Sequence, residues 1–225
     1  LKGMGKIYMK RDVITGPTGS IGIALINELE ANGIEVVAVV RPGSKRADRI
    51  KESSLVKCVK CDLSKLDKLP ELIPDGADVF YHFGWDGTFG DSRNNMKGQN
   101  LNVKYALDAV EAASKLGCKT FVGAGSQAEY GRFEGKLNGS TPTFPENGYG
   151  IAKLCAGQMT RIMCQQKGIK HIWTRILSIY GPYDGEKTMV MSVDMRFPEG
   201  KAKALTLSYD DGVEQDLSLI HISEP

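Results

Sequence analysis

Thr15-Gly16-Pro17-Thr18-Gly19-Ser20-Ile21-Gly22 decides how this 225-residue chain folds. The apolar pair Val13-Ile14 runs into it as the end of a buried strand. Beyond it, Ile21, Ala24, Leu25 and Leu29 recur at helical spacing until Asn32-Gly33 supplies a stop. The glycines therefore occupy a strand-to-helix turn. Glycine there permits tight backbone geometry and close approach of a phosphate, while the free N–H groups and the positive end of the helix dipole hold a pyrophosphate. The spacing is G-x-x-G-x-x-G rather than the commoner G-x-G-x-x-G, and a plain tight turn is the alternative.

Outward from this turn, strand-like apolar runs alternate with helical patterns. Val36 to Val40, Leu55 to Lys60, Val79 to Phe83, Thr120 to Ala124 and His171 to Ile176 read as further strands. Asn100 to Leu116 and Gly148 to Lys167 read as helices. Such alternation predicts an α/β fold, a Rossmann-like doubly wound parallel sheet with ligands at the carboxyl ends of its strands. The segment Arg132 to Asn147, rich in Gly, Pro and Asn, is a loop that either lines an entrance or simply connects.

The strand ends carry the candidate contacts. After Val40 the chain reads Arg41-Pro42-Gly43-Ser44-Lys45-Arg46, where dinucleotide folds place the group that touches the adenosine ribose. An acidic residue would accept the ribose hydroxyl of NAD. The cation Arg41 tilts the choice toward NADP, with a solvated basic loop as the alternative. After the next strand, Asp62 is placed to accept from an adenine amino group.

Tyr149-Gly-Ile-Ala-Lys153 puts a phenol and an amine four residues apart on one helix face. A tyrosine of ordinary pKa, about 10, is a poor base at neutral pH, and a neighbouring ammonium moves it toward the working range. Alone, this pair also describes an exposed tyrosine beside a solvated lysine. Ser126, presented by a strand-to-loop junction ahead of it in the chain, can orient the oxygen that the tyrosine deprotonates.

With these pieces in order, the chain from about Arg11 to Asp216 resembles the extended short-chain dehydrogenases/reductases. This is the NAD(P)-dependent epimerase/dehydratase family, most of whose members modify nucleotide sugars. The marks are the glycine turn, Cys61-Asp62-Leu63, Tyr81-His82-Phe83-Gly84-Trp85, Asn102-Val103, Ser126 ahead of Tyr130-Gly131, Tyr149-x-x-x-Lys153, and Arg175 with Tyr180-Gly181-Pro182. The resemblance implies catalytic roles for Ser126, Tyr149, Lys153 and Asn102. Tyr149 is then the acid/base, Lys153 lowers its pKa and bonds the nicotinamide ribose, and Asn102 supports the network. It implies cofactor contacts from Gly16, Gly19, Ser20, Ile21, Gly22, Arg41, Asp62, Leu63, Gly84 and Trp85, and substrate contacts from Gln127, Ser178 and Pro182. The reaction implied is hydride transfer at a sugar carbon, with NADP or NAD as the carrier.

Two departures narrow the branch. Sugar 4,6-dehydratases of the family carry Thr-Asp-Glu where this chain reads Ser126-Gln127-Ala128, and Glu129 falls one position late. Dehydration is therefore the least expected branch, leaving 4-epimerisation or 4-keto reduction. Ser178 stands where the family often has asparagine, so the sugar is open. A non-catalytic nicotinamide-binding regulator on the same fold is the rival, and retention of Ser126, Tyr149 and Lys153 together argues for chemistry.

A net charge of +2 supplies neither the basic field of a nucleic-acid binder nor the acidity of a disordered tail. No apolar run reaches the roughly 18 residues that span a bilayer. A cytoplasmic enzyme without nucleic-acid or membrane partners, dimeric by analogy through its two long helices, is expected. The 5 cysteines form an odd set. Cys58-x-x-Cys61 lacks a second ligand pair and reads as packing, and no metal site is expected.

Three segments are expected: residues 1–182 as the NAD(P)-binding domain, 183–216 as a fragment of a substrate domain, and 217–225 as a non-native tail. Leu217-Ser-Leu-Ile-His-Ile-Ser-Glu-Pro225 looks like a translated sequencing adapter, and Met4 and Met9 are possible starts. A truncated substrate domain would leave cofactor binding weak and turnover poor, and would expose apolar surface around Met189 to Phe197.

Overall fold

The computed structural model describes residues 10–179 and Tyr183. Tyr180, Gly181 and Pro182, the Met189 to Phe197 segment, the expected substrate-domain fragment beyond Tyr183 and the adapter-like tail lie outside the described residues. Six parallel strands form one sheet in the order β3-β2-β1-β4-β5-β6. They are β1 Arg11–Thr15, β2 Glu35–Val40, β3 Val56–Lys60, β4 Val79–His82, β5 Thr120–Ser126 and β6 Lys170–Ile176. The helices are α1 Ser20–Ala31, the short α2 Leu69–Leu72, α3 Met96–Lys115 and α4 Gly148–Gln166.

The strands read as nearly unbroken apolar runs because both sheet faces are covered. Successive side chains of β1 point to opposite faces. Val13 joins Val37, Val39, Phe80 and Phe121 against Ala109, Val110 and Ala113 of α3. Ile14 joins Val36, Ala38 and Val40 against Ile23, Ile26 and Leu29 of α1. Phe80 and Phe121 are fully buried and stacked with centroids 6.0 Å apart. Truncating either to alanine costs about 3–5 kcal/mol, a large fraction of a domain's stability.

Parallel register sets the carboxyl ends side by side. Thr15 pairs with Val39 and His82, Val40 with Lys60, and His82 with Gly123. The turn after β1, the chain after β2 and β3, and the loops after β4 and β5 therefore open on one edge, at the β1/β4 junction where the strand order reverses. α3 begins four residues before the hydrophobic pattern predicts. Asn95 caps it by accepting from the Gly98 N–H at 3.2 Å. The polar, glycine-containing first turn carries no apolar periodicity, which hid it.

Among the described residues no helix is long and apolar enough to cross a membrane, and no group of three metal-ligating side chains assembles. All five cysteines are unbridged.

Candidate active site

The glycine turn is shaped from both sides. Gly16 has φ +70°, and a Cβ there would lie 2.6 Å from the Gly84 backbone nitrogen. Only glycine lets β1's turn and β4's exit meet so closely. Thr15 bolts them together. Its Oγ1 accepts from the Gly84 N–H at 3.3 Å and shares a 2.9 Å hydrogen bond with His82 Nδ1. Burial, with Lys153 adding to it, pushes the His82 ring down to about 3, so it is neutral at physiological pH. Among the described residues its Nε2 has no hydrogen-bond partner.

Gly19 differs from Gly16. It caps α1 with extended backbone and no side-chain cap, and a Cβ there would meet only the Gly16 carbonyl, 3.9 Å away. The protein's own packing does not require a glycine, whereas a group lying against the N–H groups of Ser20, Ile21 and Gly22 would. No acidic residue occupies that first turn. This open cradle at a helix N-terminus fits a dinucleotide pyrophosphate.

Arg41 follows β2 and is exposed. It helps hold the Asp62 carboxyl below its usual range, although the larger causes are the Ser64 N–H and hydroxyl, which Asp62 Oδ1 accepts at 3.0 and 2.7 Å. Asp62 is therefore partly committed as the cap of the turn that follows β3. Leu63 places its methyl groups where a side chain on Gly84 would sit.

Trp85, next after Gly84, reaches the tyrosine–lysine pair. Its ring stands edge-on to Tyr149 at 6.2 Å, and Lys153 Nζ lies 3.8 Å from its centre. Gln99 of α3 anchors it, accepting the indole N–H at 2.9 Å while its amide donates to Gly87 and Ser92 carbonyls. Asn102 clamps the next residue, accepting from Asp86 N–H at 3.0 Å and donating to Asp86 O at 2.8 Å. Asn102 is thus placed as the strut of the loop that carries Trp85.

Tyr149 enters through a glycine on each side. Asn147 caps α4 by accepting from Gly150 N–H, and Gly148 donates to Asn94 Oδ1. A Cβ on Gly150 would strike the Ala128 carbonyl, so the helix start lies directly on the turn after β5. Burial is the largest influence on the phenol and raises its pKa. The Ser126 hydroxyl and Arg93 act the other way, and Glu129 adds to the rise. The expected acidification by Lys153 does not dominate. Lys153 is buried, donates to the Ala124 carbonyl at 2.6 Å, and stands 5.7 Å from the Tyr149 ring centre. Desolvation brings its own pKa down to about 7 against the pull of Glu129.

Sequence reading missed four contributors. Arg93 stacks its guanidinium 4.9 Å from the Tyr149 ring centre. Gln99 and Asn94 fix the loop that carries it. Glu129, buried beneath the site, accepts from Ser126 N–H at 2.8 Å and Trp173 Nε1 at 3.0 Å, and pairs with Arg175 Nε at 3.0 Å. A signal for Glu129 was present, since Ser126-x-x-Glu129 has capping-box spacing. Gln127 and Ser178 do meet, through a 3.4 Å contact between exposed side chains. A separate cavity of about 410 Å³ between α4 and β6 touches Glu129 but none of Ser126, Tyr149 or Lys153.

Comparisons with known proteins point to one family. The model of the NAD dependent epimerase/dehydratase family matches residues 13–217. The chain is similar to dTDP-6-deoxy-L-talose 4-dehydrogenase (NAD(+)) of Aggregatibacter actinomycetemcomitans, 30% identical over 142 residues, covering 63% of this chain and 50% of that protein. It is also similar to the uncharacterized UDP-glucose epimerase YtcB of Bacillus subtilis (strain 168), 27% identical over 183 residues, covering 76% of this chain and 57% of that one. The chain spans about half the length of these curated relatives. Among solved structures, it resembles UDP-glucuronic acid 4-epimerase from Bacillus cereus in complex with NAD, with TM-score 0.72, 20% identity, and coverage of 84% of this chain and 64% of that one. DesIV, the dTDP-glucose 4,6-dehydratase from Streptomyces venezuelae with NAD and TYD bound, gives TM-score 0.74, 20% identity, and coverage of 84% and 62%. These likenesses show the fold.

Proposed function

The chain belongs to the NAD-dependent epimerase/dehydratase family, and from that premise we propose that it serves nicotinamide-dependent hydride transfer at a sugar carbon of a nucleotide sugar, by 4-epimerisation or 4-keto reduction. The observation that carries the reading is the meeting of Tyr149, Lys153 and Ser126 with Trp85, whose neighbour Gly84 is bonded to the glycine turn through Thr15. When bound, the nicotinamide accepts or supplies the hydride. Tyr149 Oη takes the proton from the sugar hydroxyl or returns it to the ketone oxygen. Ser126 orients that oxygen, and Lys153 bonds the ribose and neutralises the phenolate. Gln127 and Ser178 border the sugar.

Dehydration is disfavoured in this reading. Gln127 and Ala128 carry no acid or base, and Glu129 is buried and spent on Ser126, Trp173 and Arg175. The exposed cation of Arg41 supports NADP over NAD. A homodimer through α3 and α4 in the cytoplasm completes the proposal. Ile151, Met159 and Ile162 form an exposed apolar stripe on α4, with Leu101 exposed on α3, and light scattering tests whether two copies cover them.

The deciding assay incubates the protein that carries this chain with a panel of nucleotide sugars and reduced or oxidised nicotinamide cofactors. Absorbance follows net redox, and product analysis detects redox-neutral epimerisation. Conversion of none of the panel by protein that binds cofactor would overturn the reading in favour of a nicotinamide-binding regulator.

A further inference from the structure

Ser126 takes its place in the site from two bonds. Its N–H donates to Glu129 Oε1 at 2.8 Å, and its Oγ accepts from the Ala128 N–H at 3.2 Å. A hydroxyl whose oxygen is engaged as an acceptor keeps its proton for another partner. That partner lies toward Tyr149: burial raises the phenol's pKa, and the Ser126 hydroxyl is the largest influence in the other direction. The aim of the serine therefore depends on where its main chain sits.

Glu129 is built to fix it. The residue is only 1% exposed, and both carboxylate oxygens are committed. Oε1 also accepts from Trp173 Nε1 at 3.0 Å, and Oε2 pairs with Arg175 Nε at 3.0 Å. Arg175 in turn donates to Tyr130 Oη at 3.3 Å and stacks 4.8 Å from that ring's centre, while Tyr130 donates to the Asn138 carbonyl at 3.0 Å. Glycines make the room. A Cβ on Gly125 would lie 2.5 Å from Glu129 Oε1, and one on Gly157 of α4 would lie 2.7 Å from the Trp173 ring.

Charge is not the route by which this carboxylate serves the site. Glu129 adds to the rise of the Tyr149 pKa, which opposes the phenolate, and it draws the Lys153 pKa up against the larger lowering by desolvation, which keeps the amine charged beside that phenolate. These effects oppose each other. Nor does stability call for the pair, since apolar side chains of similar volume often serve a buried position as well as an ion pair does.

We propose that Glu129 is a positioning residue: its carboxylate, seated on Arg175 and Trp173, fixes the Ser126 main chain so that the serine hydroxyl points at the oxygen that Tyr149 serves. This rests on Tyr149 being the acid/base. Two readouts test it. Without substrate, hydrogen exchange of the Ser126 amide, measured relative to the β1 amides, is expected to be at least about tenfold faster in Glu129→Gln than in wild type. With the nucleotide sugar that the wild type converts, single-turnover hydride transfer slows about tenfold in that variant while cofactor affinity stays within about threefold. In a Ser126→Ala background the same substitution slows transfer by less than about twofold, because Glu129 acts through the serine. Arg175→Lys loosens the seat from its far side and gives a smaller slowing with the same dependence on Ser126.

Unchanged relative exchange of the Ser126 amide in Glu129→Gln overturns the proposal, as does a slowing by either variant that persists in full in the Ser126→Ala background. Failure of the underlying reading is a separate result: Tyr149→Phe transferring hydride at the wild-type rate removes the acid/base role and leaves the exchange rates readable.

Discussion

The Nζ of Lys153 lies 3.8 Å from the centre of the Trp85 ring, on the aromatic face rather than in water. Among the described residues its one hydrogen bond goes to the Ala124 carbonyl. The indole therefore substitutes for solvent, an interaction of about 1–2 kcal/mol at a desolvated site. Trp85→Leu should lower the Lys153 midpoint from about 7 by roughly one pH unit, and Trp85→Phe by less. Lysine-selective NMR, with Lys153→Met to assign the signal, checks this. Equal midpoints in wild type and Trp85→Leu would remove the indole's role.

Burial of Lys153 costs stability. Its folded pKa, about 7, lies below the 10.5 of a free lysine, so the unfolded chain binds the proton first as pH falls through that window. The penalty is full below about pH 7 and fades as pH rises toward the unfolded value. Lys153→Met should therefore raise unfolding free energy at neutral pH by about 1–3 kcal/mol while abolishing turnover. Denaturant titrations at pH 7 and pH 10 check both size and direction. A variant less stable than wild type at pH 7 contradicts it.

Gly16 and Gly19 separate structural from ligand-driven need. Gly16→Ala meets the Gly84 backbone at 2.6 Å with φ +70° and should cost about 2 kcal/mol or more of stability. Gly19→Ala meets nothing among the described residues closer than 3.9 Å and should leave stability within about 1 kcal/mol, yet weaken dinucleotide binding at least about tenfold. Thermal melts and cofactor titrations read the two effects. Unaltered binding in Gly19→Ala would mean that the cradle holds no pyrophosphate.

Arg41 should discriminate between cofactors. Arg41→Ala is expected to weaken NADP binding by about tenfold while changing NAD binding less than about twofold, since only the former carries a phosphate for the guanidinium. Parallel titrations measure the ratio. Equal losses for both would leave Arg41 a solvated surface cation.

The fold was legible because burial on both faces writes Val36 to Val40, Val79 to His82 and Thr120 to Ala124 as apolar runs, and because the glycine turn joins two periodicities. Tyr149, Lys153 and Ser126 were legible by spacing and order. Arg93, Gln99 and Glu129 were not, because Arg93 meets Tyr149 and Glu129 meets Trp173 and Arg175 across more than forty residues, and the polar contacts of Gln99 to the loop before it follow no period. The electrostatic balance at Tyr149 was also hidden. A spacing of four residues places an amine near a phenol, but only the packing of Trp85 and Ala124 reveals that the amine is buried and occupied elsewhere.

Single-turnover hydride transfer in wild type and Tyr149→Phe, with cofactor affinity measured alongside, tests the phenol's role most directly. If Tyr149 moves the proton, the variant keeps its cofactor affinity within about threefold and slows transfer by about 10²–10⁴. Transfer at the wild-type rate with cofactor bound would contradict it.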